Sequence, residues 1–535
     1  MSALPVPHGD DRPDGLAPDS VRPIGRWLRA RLPEGARLLA DSRQVRPGDA
    51  FFAYPGLQAD GRQFIPQALA QGAGAIVHEA DPDLSDELPA HVDHLGVTGL
   101  RDLAGPIAAE FHGRVARKLR VVAVTGTNGK TSVSHWVARG LSHAGIPAAI
   151  VGTLGGGLVQ DSASPRFEST GLTTPDALGL QRMLAGFVAR GARSAAMEAS
   201  SIGLDQGRLN GTSIEVAAFT NLTRDHLDYH RSMEEYAAAK ARLFAWPGLR
   251  AAVVNGDDPA CVPMLAAIAG SPGSAPVLRI AYGFSPGQHG ARVDRMLLAD
   301  RVIEDAQGIT LSLAGDYGRA DLRLHLLGRF NVSNAMAVAS CWLALGLPLE
   351  TVVDLLEQLE PVAGRMQRIE SPGAPMVVVD YAHSPDALAN TLEALRPVAL
   401  ARGGALWCVF GAGGDRDPGK RPMMGYIAQR GADRVVVTSD NPRSEAPFRI
   451  VSDIRAGLSR EPFATELDRE RAIDLAIAQA DAADVVLIAG KGHEDYQEIQ
   501  GTRHPFSDVQ VARRAQARRI ADGPANVPPG GVADV

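Results

Sequence analysis

This 535-residue sequence lacks the features that mark secreted and membrane proteins. It contains only three cysteines, Cys261, Cys341 and Cys408, which are far apart and lie among apolar neighbours. Such thiols suit a reducing compartment and provide neither a disulfide framework nor a zinc site. No segment reaches the ~18 uninterrupted apolar residues of a membrane span, and the N-terminus lacks the basic start and apolar centre of a signal peptide. We therefore expect a cytoplasmic protein without a membrane span.

An excess of basic residues is also missing. The sequence has 54 Lys and Arg against 61 Asp and Glu, a formal net charge of −7. This balance gives no electropositive face, so nucleic acid is not expected as a partner. A small anionic ligand would need a local positive pocket instead. We expect a monomeric globular enzyme.

The length exceeds what one hydrophobic core usually spans, so we expect several domains. Apolar runs alternate with helical patterns along most of the chain, which predicts an α/β protein. We place domains at residues 21–112, 113–361 and 362–520. The leader 1–20 and the Pro- and Gly-rich tail 521–535 cannot bury enough surface to offset their ordering entropy, so we expect both to be disordered.

The most informative segment runs from Leu119 to Ser132, where an apolar strand leads into a Gly-rich turn and a helix. Such a turn presents backbone N–H groups to phosphates, while Lys130 adds positive charge and the Thr131 hydroxyl can hold Mg²⁺. A strict phosphate-binding loop would have glycine at position 124, where this chain has Val124. A purely structural turn is the alternative, but the Lys-Thr pair before a helical pattern favours ATP. The predicted nucleotide contacts are Gly126, Thr127, Asn128, Gly129, Lys130, Thr131 and Ser132.

In the third domain, four buried strand-like runs each end in a polar loop. They are Met376 to Asp380, Leu406 to Phe410, Arg434 to Thr438 and Val485 to Ala489. Parallel α/β sheets place ligand sites at the carboxyl ends of their strands, so we expect these four loops to converge. The loops are DYAHSP, GAGGDRDPGKRP, SDNPRSE and GKGHEDYQ.

The order of motifs along the chain resembles that of the Mur ligase family and, within it, the members that add diaminopimelate. The motifs are TGTNGKTS, MEASS, NLTRDHLDYH, EEYAAAKARLF, GRFNVSNA, AGRMQ, DYAHSP, GGDRDPGKRP, DNPR and GKGHE. The resemblance implies three α/β domains: a small N-terminal domain that binds the UDP substrate, a central P-loop ATPase-like domain with a parallel sheet, and a C-terminal Rossmann-like domain that binds the amino acid.

The activity implied by the resemblance is a step of peptidoglycan synthesis. It joins meso-2,6-diaminopimelate to the D-glutamate of UDP-N-acetylmuramoyl-L-alanyl-D-glutamate, with ATP and Mg²⁺. A carboxylate is a poor electrophile, so ATP would convert it to an acyl phosphate that the amine attacks. Metal ions would relieve the repulsion among the anions held together.

Four residues match the family's catalytic groups. The resemblance makes Glu198 a metal carboxylate, His226 its partner near the γ-phosphate, and Lys130 a phosphate contact. It also makes Lys240 a lysine carbamylated by CO₂, which with Thr131 completes the metal-binding set. The alternatives are a solvated Glu198, a capping His226 and a solvated surface Lys240. Asn331, Arg365 and Asp380 match adenine, phosphate and ribose contacts, and the domain that carries the last two would close over ATP.

The two other substrates also have matching residues. The contacts implied for the UDP-muramoyl dipeptide are Ser42, Leu57, Gln58, Ala59, Thr173, Thr174, Ser200, Gln206 and Arg208. Those implied for diaminopimelate are Arg416, Asp440, Asn441, Pro442, Arg443, Gly490 and Glu494. Arg443 is expected to grip the carboxylate that lysine lacks, because a guanidinium can pair with it bidentately. Surface solvation is the alternative for these arginines. The family often has His where this chain has Ile202, so no role is assigned to that side chain.

Other functions remain open at this stage. A lysine-adding Mur ligase or a folylpolyglutamate-synthetase-like ligase would share the ATP grip and the acyl-phosphate route. The uridine-side and DNPR matches count against both. A non-catalytic nucleotide sensor would be expected to lose some of Lys130, Glu198, His226 and Lys240, and all four are present.

Overall fold

The computed structural model describes residues 21–56, 59–81, 88–159, 167–268, 276–287, 292–305 and 308–522. The expected leader, most of the expected tail, and the predicted substrate contacts Leu57 and Gln58 lie outside the described residues. The chain divides into two compact units. Unit 1 takes in residues up to 222, 234–297 and 337–352, and unit 2 takes in 223–233, 298–336 and the chain from 353 onward.

The N-terminal part of unit 1 is built on a parallel sheet with helices on both faces. The sheet has the order β1-β2-β3-β4, with β1 Leu38–Leu39, β2 Ala50–Ala53, β3 Ala75–Glu79 and β4 His94–Val97. Its helices are α1 Val21–Arg31, α2 Ile65–Ala70 and α3 Leu100–Phe111, with 3₁₀ turns at Ser42–Gln44, Gly61–Phe64 and Val115–Lys118. Helices α1 and α3 cover one face of the sheet, and α2 covers the other.

The rest of unit 1 contains a second, larger parallel sheet. Its strands are β5 Arg120–Thr125, β6 Ala148–Gly152, β7 Gly155–Leu158, β8 Ser194–Glu198, β9 Val216–Phe219, β10 Ala251–Asn255 and β11 Leu278–Gly283. Their order is β11-β10-β9-β5-β8-β6-β7, and within this set only β7 is antiparallel to its neighbour. The helices are α4 Lys130–His143, α5 Ala177–Ala189, α6 Ser201–Asp205, α7 Met233–Ala241 and α8 Cys261–Ala266, with a 3₁₀ turn at Arg242–Ala245. The P-loop strand β5 therefore lies inside the sheet, between β8 and β9.

Among the described elements, four cross from one unit to the other along the chain. They are helix α7, whose first residue Met233 falls in unit 2, strand β12 Arg295–Asp305, and helices α9 Arg329–Ala344 and α10 Leu349–Glu357. Unit 2 also contains the antiparallel pair β13 Gly308–Gly315 and β14 Ala320–Leu324. Beyond α10 the chain passes through Pro361 and Gly364.

The main sheet of unit 2 has the order β15-β16-β20-β17-β18-β19. Its strands are β15 Gln367–Ile369, β16 Met376–Asp380, β17 Leu406–Phe410, β18 Arg434–Val437, β19 Ala464–Thr465 and β20 Val485–Ala489. All of these pair in parallel except β15. Helices α11 Pro385–Arg402, α12 Lys420–Gly431 and α13 Pro447–Arg455 cover one face, and α14 Arg469–Gln479 and α15 Asp508–Asp522 cover the other. A hairpin of β21 Tyr496–Ile499 and β22 Thr502–Pro505 follows β20.

The α/β class expected from the sequence is confirmed. The four apolar runs of the third domain are the buried strands β16, β17, β18 and β20. Because all four run parallel, their carboxyl ends share one edge of the sheet, as predicted. Among the residues described, none of the helices is long and apolar enough to cross a membrane.

Candidate active site

The loop between β5 and α4 has the geometry of an anion-binding turn. Lys130 is the first residue of α4, and its Nζ donates to the carbonyls of Gly126 at 3.0 Å and Thr127 at 2.8 Å. Gly126 has φ +149°, and a Cβ there would lie 1.9 Å from Thr220 Oγ1. Only glycine therefore fits this position. The helix N-terminus and the lysine together provide a site for phosphates.

The end of neighbouring strand β9 holds this loop in place. Asn221 accepts a hydrogen bond from the Asn128 N–H at 2.9 Å and donates Nδ2 to the Asn128 carbonyl at 3.1 Å. Thr220 donates to the same carbonyl at 2.6 Å. Asn221 and Thr220 are not among the site residues predicted from the sequence. The available signal was a polar pair at the carboxyl end of a buried strand.

Glu198, at the end of β8, is buried and bound by three donors. Thr131 Oγ1 lies 3.1 Å from each carboxylate oxygen, and Thr153 contacts the carboxylate with its N–H at 2.8 Å and its hydroxyl at 3.1 Å. The alternative of a solvated Glu198 is excluded by its 1% exposure. Thr153, which the sequence analysis missed, also contacts Thr173 Oγ1 at 3.1 Å.

Lys240 is buried in α7 with 1% exposure, which excludes the alternative of a solvated surface lysine. Its Nζ donates to the Gly126 carbonyl at 2.8 Å and lies 4.1 Å from the centre of the Tyr236 ring. The Tyr236 hydroxyl is 3.2 Å from Thr127 Oγ1. The amino groups of Lys130 and Lys240 therefore lie beside the same P-loop carbonyl.

The predicted muramoyl and peptide contacts fall into one hydrogen-bonded group in unit 1. Thr174 donates to the Glu198 carbonyl at 2.8 Å and lies 3.0 Å from Ser200 Oγ. Arg208 Nη1 donates to the Thr174 carbonyl at 2.9 Å, and its Nε and Nη2 donate to Gln206. These contacts connect the predicted substrate side chains directly to the end of the strand that carries Glu198.

The predicted uridine-side contacts lie in the N-terminal part of unit 1. Ser42 is buried, and its hydroxyl donates to Gln67 Oε1 at 2.8 Å. Ala59 is exposed, and its carbonyl accepts from the Gly56 N–H at 2.9 Å.

In unit 2, three predicted ATP contacts sit in or beside buried networks. Asp380 accepts from the Met366 N–H at 2.7 Å, and burial raises the pKa of its carboxyl although Arg365 opposes this. The Arg365 guanidinium lies 4.4 Å from the centre of the Tyr381 ring. Asn331 is also buried, and its Nδ2 donates to the Leu327 carbonyl at 2.8 Å.

His226 lies next to a charged cluster within unit 2. Its Nε2 is 3.8 Å from Asp225 Oδ2, and its backbone is left-handed with φ +53°. Burial alone would raise the pKa of Asp225, but His226, His383 and Lys420 lower it to about 2. Burial lowers the pKa of His383 to about 4, and its Nδ1 donates to the Tyr381 carbonyl at 2.8 Å.

Among the described residues, no three His, Cys, Asp or Glu side chains cluster closely enough to hold a metal ion. Mg²⁺ characteristically uses one or two carboxylates, keeps several waters and shares substrate phosphates. The Thr131 hydroxyl and the Glu198 carboxylate at the P-loop helix therefore fit Mg²⁺ without a further acidic ligand.

The loops that carry the predicted diaminopimelate contacts, here called the amino-acid loops, converge at the carboxyl edge of the unit 2 sheet. Asn441 Nδ2 donates to Glu494 Oε2 at 2.7 Å, and the wholly buried Lys491 donates to Asn441 Oδ1 at 3.0 Å and Glu494 Oε2 at 2.9 Å. Arg443 Nη1 donates to the Gly414 carbonyl at 2.6 Å. Lys491 was not singled out by the sequence analysis.

The other predicted amino-acid contacts vary in exposure. Arg416 is exposed, whereas Asp440 and Pro442 are buried. A Cβ at Gly490 would lie 2.3 Å from Asp440 Oδ2, so the two loops are in close contact there. The Arg443 side chain keeps 24% of its surface exposed and lies 3.8 Å from Glu498.

Several residues of the predicted site have a left-handed backbone. Within the described ranges, six non-glycine residues have φ between +48° and +53°. Four of them, His226, Met366, Asp415 and Arg443, lie in or beside a motif assigned to the site, and the other two are Arg114 and Gln500. Such conformations cost free energy and often occur where a binding site constrains the backbone.

Three family models match the chain. Residues 37–112 match the Mur ligase family, catalytic domain; residues 124–342 match the Mur ligase middle domain; residues 364–492 match the Mur ligase, glutamate ligase domain. These ranges include the P-loop and the amino-acid loops described above.

Two curated relatives are UDP-N-acetylmuramoyl-L-alanyl-D-glutamate–2,6-diaminopimelate ligases. The one from Ralstonia nicotianae is 48% identical over 515 residues, covering 94% of this chain and 98% of the relative. The one from Pseudomonas aeruginosa is 49% identical over 482 residues, covering 90% of this chain and 94% of the relative.

Solved structures are similar over comparable lengths. A structure of a ligase of the same name is 37% identical, with a TM-score of 0.62, covering 90% of this chain and 95% of the other. The MurF ligase from Thermotoga maritima in complex with ADP shares the fold, at 18% identity and a TM-score of 0.61, covering 91% of this chain and 98% of the other. With relatives nearly half identical over most of its length, the chain belongs to the Mur ligase family of ATP-dependent, amide-bond-forming enzymes.

Proposed function

We propose that this enzyme joins meso-2,6-diaminopimelate to the D-glutamate side chain of UDP-N-acetylmuramoyl-L-alanyl-D-glutamate in peptidoglycan synthesis. The observation that carries the proposal is the cluster of Arg443, Asn441 and Glu494 at the carboxyl edge of the unit 2 sheet. The names of the relatives from Ralstonia nicotianae and Pseudomonas aeruginosa support it. We propose the cytoplasm as its location and a monomer as its working form, and the three free cysteines suit a reducing compartment.

The reaction begins with attack of the D-glutamate side-chain carboxylate on the γ-phosphorus of ATP. An acyl phosphate forms and ADP leaves, after which an amine of diaminopimelate attacks the acyl carbon and phosphate leaves. Lys130 and the N–H groups of the P-loop hold the phosphates, because they supply positive charge at the helix N-terminus. Asn331, Arg365 and Asp380 remain the predicted adenine, phosphate and ribose contacts.

Mg²⁺ would be held by Thr131 and Glu198, with His226 as the predicted further partner. Bound there, the ion supplies positive charge that offsets the negative charge of the phosphates. Thr153 keeps the Glu198 carboxylate oriented through its N–H and hydroxyl. A Glu198→Gln variant keeps the shape of the side chain but removes its negative charge. We expect it to need at least about tenfold more Mg²⁺ for half-maximal turnover, since a ligand charge is lost.

We propose that Lys240 is carbamylated by CO₂. The support is its burial and its place beside Lys130, because both amino groups contact the Gly126 carbonyl. Two ammonium groups at one oxygen repel each other, whereas a carbamate would carry the opposite charge. Carbon-13 NMR in labelled bicarbonate should give a carbamate signal in the wild type and none in Lys240→Arg. Full activity of Lys240→Arg would contradict this role.

The UDP-muramoyl dipeptide is proposed to contact the group formed by Thr173, Thr174, Ser200, Gln206 and Arg208. Arg208 is fixed by Gln206 and the Thr174 carbonyl, and its charge suits a carboxylate or phosphate of the substrate. Ser42 and the Leu57, Gln58 and Ala59 loop remain the proposed uridine-side contacts.

Diaminopimelate differs from lysine by one carboxylate, so recognition of that group decides the acceptor. Arg443 is proposed to bind it, with Arg416, from the loop that follows β17, as a second cation. Glu494 would bind the distal ammonium, and Asp440, Asn441, Pro442 and Gly490 form the surrounding wall. A lysine-adding enzyme has no use for a guanidinium at this place, which disfavours that alternative.

The test is an acceptor comparison with purified enzyme, ATP and the UDP-linked dipeptide. Diaminopimelate, lysine and ornithine are supplied separately, and the product is detected by mass. We expect the diaminopimelate adduct to form at least about 10²-fold faster than the others, as expected for a site that pairs with the missing group. The proposal would be refuted if phosphate release from ATP did not depend on the UDP-linked dipeptide and the amino acid. Preferential addition of lysine would also refute it.

A further inference from the structure

A buried ion pair in unit 2 lies beneath the amino-acid loops. Arg469 is the first residue of α14 and Asp508 is the first residue of α15, and both side chains have 0% exposure. Arg469 Nε and Nη2 donate to the two carboxylate oxygens of Asp508 at 2.8 Å each. Buried pairs of this kind are expensive to desolvate and often add little net stability, so the pair is a candidate for a role other than stability.

The other contacts of the Arg469 guanidinium reach the ends of two strands. Nη2 donates to the carbonyl of Ala489, the last residue of β20, at 3.0 Å. Nη1 donates to the carbonyl of Ser439, just beyond the end of β18, at 3.2 Å. Strand β17 lies between β18 and β20 in the sheet, so no strand pairing links these two ends directly. The guanidinium links them from beneath. Nearer the pocket, Asn441 bonds directly to Lys491 and Glu494, and Gln497 Nε2 donates to the Asp440 carbonyl at 2.6 Å.

Each of the two carbonyls precedes a residue of the proposed diaminopimelate pocket. Ser439 is followed by Asp440, and Ala489 is followed by Gly490. These two following residues are in contact, since a Cβ at Gly490 would lie 2.3 Å from Asp440 Oδ2. Burial alone would lower the pKa of Arg469, but Asp508, and beyond it Asp440 and Glu494, raise it. The buried cation is thus electrostatically coupled to the acidic side of the pocket.

We propose that Arg469, oriented by Asp508, is a positioning residue that fixes the spacing of the DNPR and GKGHE loops and thereby the affinity for diaminopimelate. The identity of the amino acid rests on the proposed function, but the positioning role does not. A planar guanidinium can serve one carboxylate and two carbonyls at once. A lysine ammonium cannot reproduce that fork.

The test compares Arg469→Lys with Ile473→Ala. Ile473 lies one turn further along α14, is fully buried and packs in the core on that face of the sheet. Its apolar side chain forms no hydrogen bond to the loops, so its replacement controls for a general loss of packing. In Arg469→Lys we expect the KM for diaminopimelate to rise at least about tenfold, because small misplacements of binding groups are costly. The KM values for ATP and the UDP-linked dipeptide should change less than about twofold. If Arg469→Lys does not fold, Asp508→Asn provides the same comparison.

Hydrogen exchange of the enzyme without ligands gives a second, substrate-independent measurement. Amides of residues 438–441 and 489–492 should exchange faster in Arg469→Lys than in the wild type, and Ile473→Ala should not show this local pattern. Equal rises in all three KM values, or the same local exchange in Ile473→Ala, would overturn the positioning role. Faster loop exchange in an enzyme that prefers another amino acid would uphold the positioning role and refute only the proposed function.

Discussion

At the scale of single residues, the P-loop and the amino-acid loops use buried charge in different ways. Lys130 and Lys240 bring two amino groups to one carbonyl, a repulsive arrangement that anionic phosphates or a carbamate would relieve. Lys491 instead has its charge matched by Glu494 at 2.9 Å. The first arrangement suits an anionic group beside the P-loop, and the second orders one side of the proposed diaminopimelate pocket.

Replacing Arg443 by alanine tests the proposed acceptor site. The variant loses charge-assisted hydrogen bonds to the remote carboxylate, so kcat/KM for diaminopimelate should fall about 10²-fold, roughly 3 kcal/mol. The KM for ATP should change less than about twofold. Arg449→Ala, an exposed arginine on α13, is the matched control and should behave as the wild type. Unchanged turnover in Arg443→Ala would remove this residue from the pocket.

His383 makes a prediction about pH. Burial lowers its pKa from 6.5 to about 4, so the unfolded chain takes up a proton at pH values where the folded protein does not. The stability that the neutral ring contributes is complete above pH ~6.5 and is lost as the pH falls toward the folded pKa. Between pH 7 and pH 5, urea denaturation should show a loss of unfolding free energy about 2 kcal/mol larger for the wild type than for His383→Gln. Equal losses in both proteins would contradict a half-buried imidazole that is kept neutral.

At the scale of elements, the parallel strands determine where the chemistry lies. Thr125 ends β5, Glu198 ends β8 and Phe219 ends β9, so the P-loop, the buried carboxylate and the anchoring Asn221 all come from one edge of the unit 1 sheet. The same rule brings the amino-acid loops of unit 2 together. Catalytic and binding groups at this edge are typical of open α/β sheets.

Glycine at position 126 is required by the packing of β5 against β9. In Gly126→Ala the new Cβ would lie 1.9 Å from Thr220 Oγ1, so the loop must move and ATP affinity should fall at least about 10²-fold. Gly145→Ala is the control. Gly145 follows α4, the helix that begins at the P-loop, and has φ +78° with open space around it. Its substitution should therefore cost only about 1 kcal/mol of backbone strain. Calorimetric titration with ATP separates the two, and wild-type affinity in Gly126→Ala would contradict the packing argument.

Much of this architecture could be predicted from the sequence. Fully buried parallel strands appear as continuous apolar runs, so Met376–Asp380 and Val485–Ala489 were recognised with their bounds. Partners far apart in the chain could not be predicted in this way. The contacts of Thr153 with Glu198 and of Arg469 with Asp508 depend on tertiary packing, which leaves no local pattern. The burial of Lys240 was equally hidden, because an Ala-rich helix with charged residues also suits a solvent-exposed surface.

At the scale of the whole molecule, the proposed function requires an acidic protein to bind three anionic or zwitterionic substrates. With a net charge of −7, long-range attraction does not favour ATP or the UDP-linked dipeptide. Binding must come from local sites such as the P-loop and the arginines described above. The relative from Ralstonia nicotianae matches 94% of the chain, so nearly all of the described structure has a counterpart in a Mur ligase.

The central claim is that ATP activates the D-glutamate side chain as an acyl phosphate before the amine attacks. The most direct measurement uses UDP-linked dipeptide with oxygen-18 in both oxygens of that carboxylate, together with ATP and diaminopimelate. We predict that each inorganic phosphate released carries one oxygen-18 atom and that the amide product retains the other. Phosphate without oxygen-18, formed at the same rate as the product, would contradict the account.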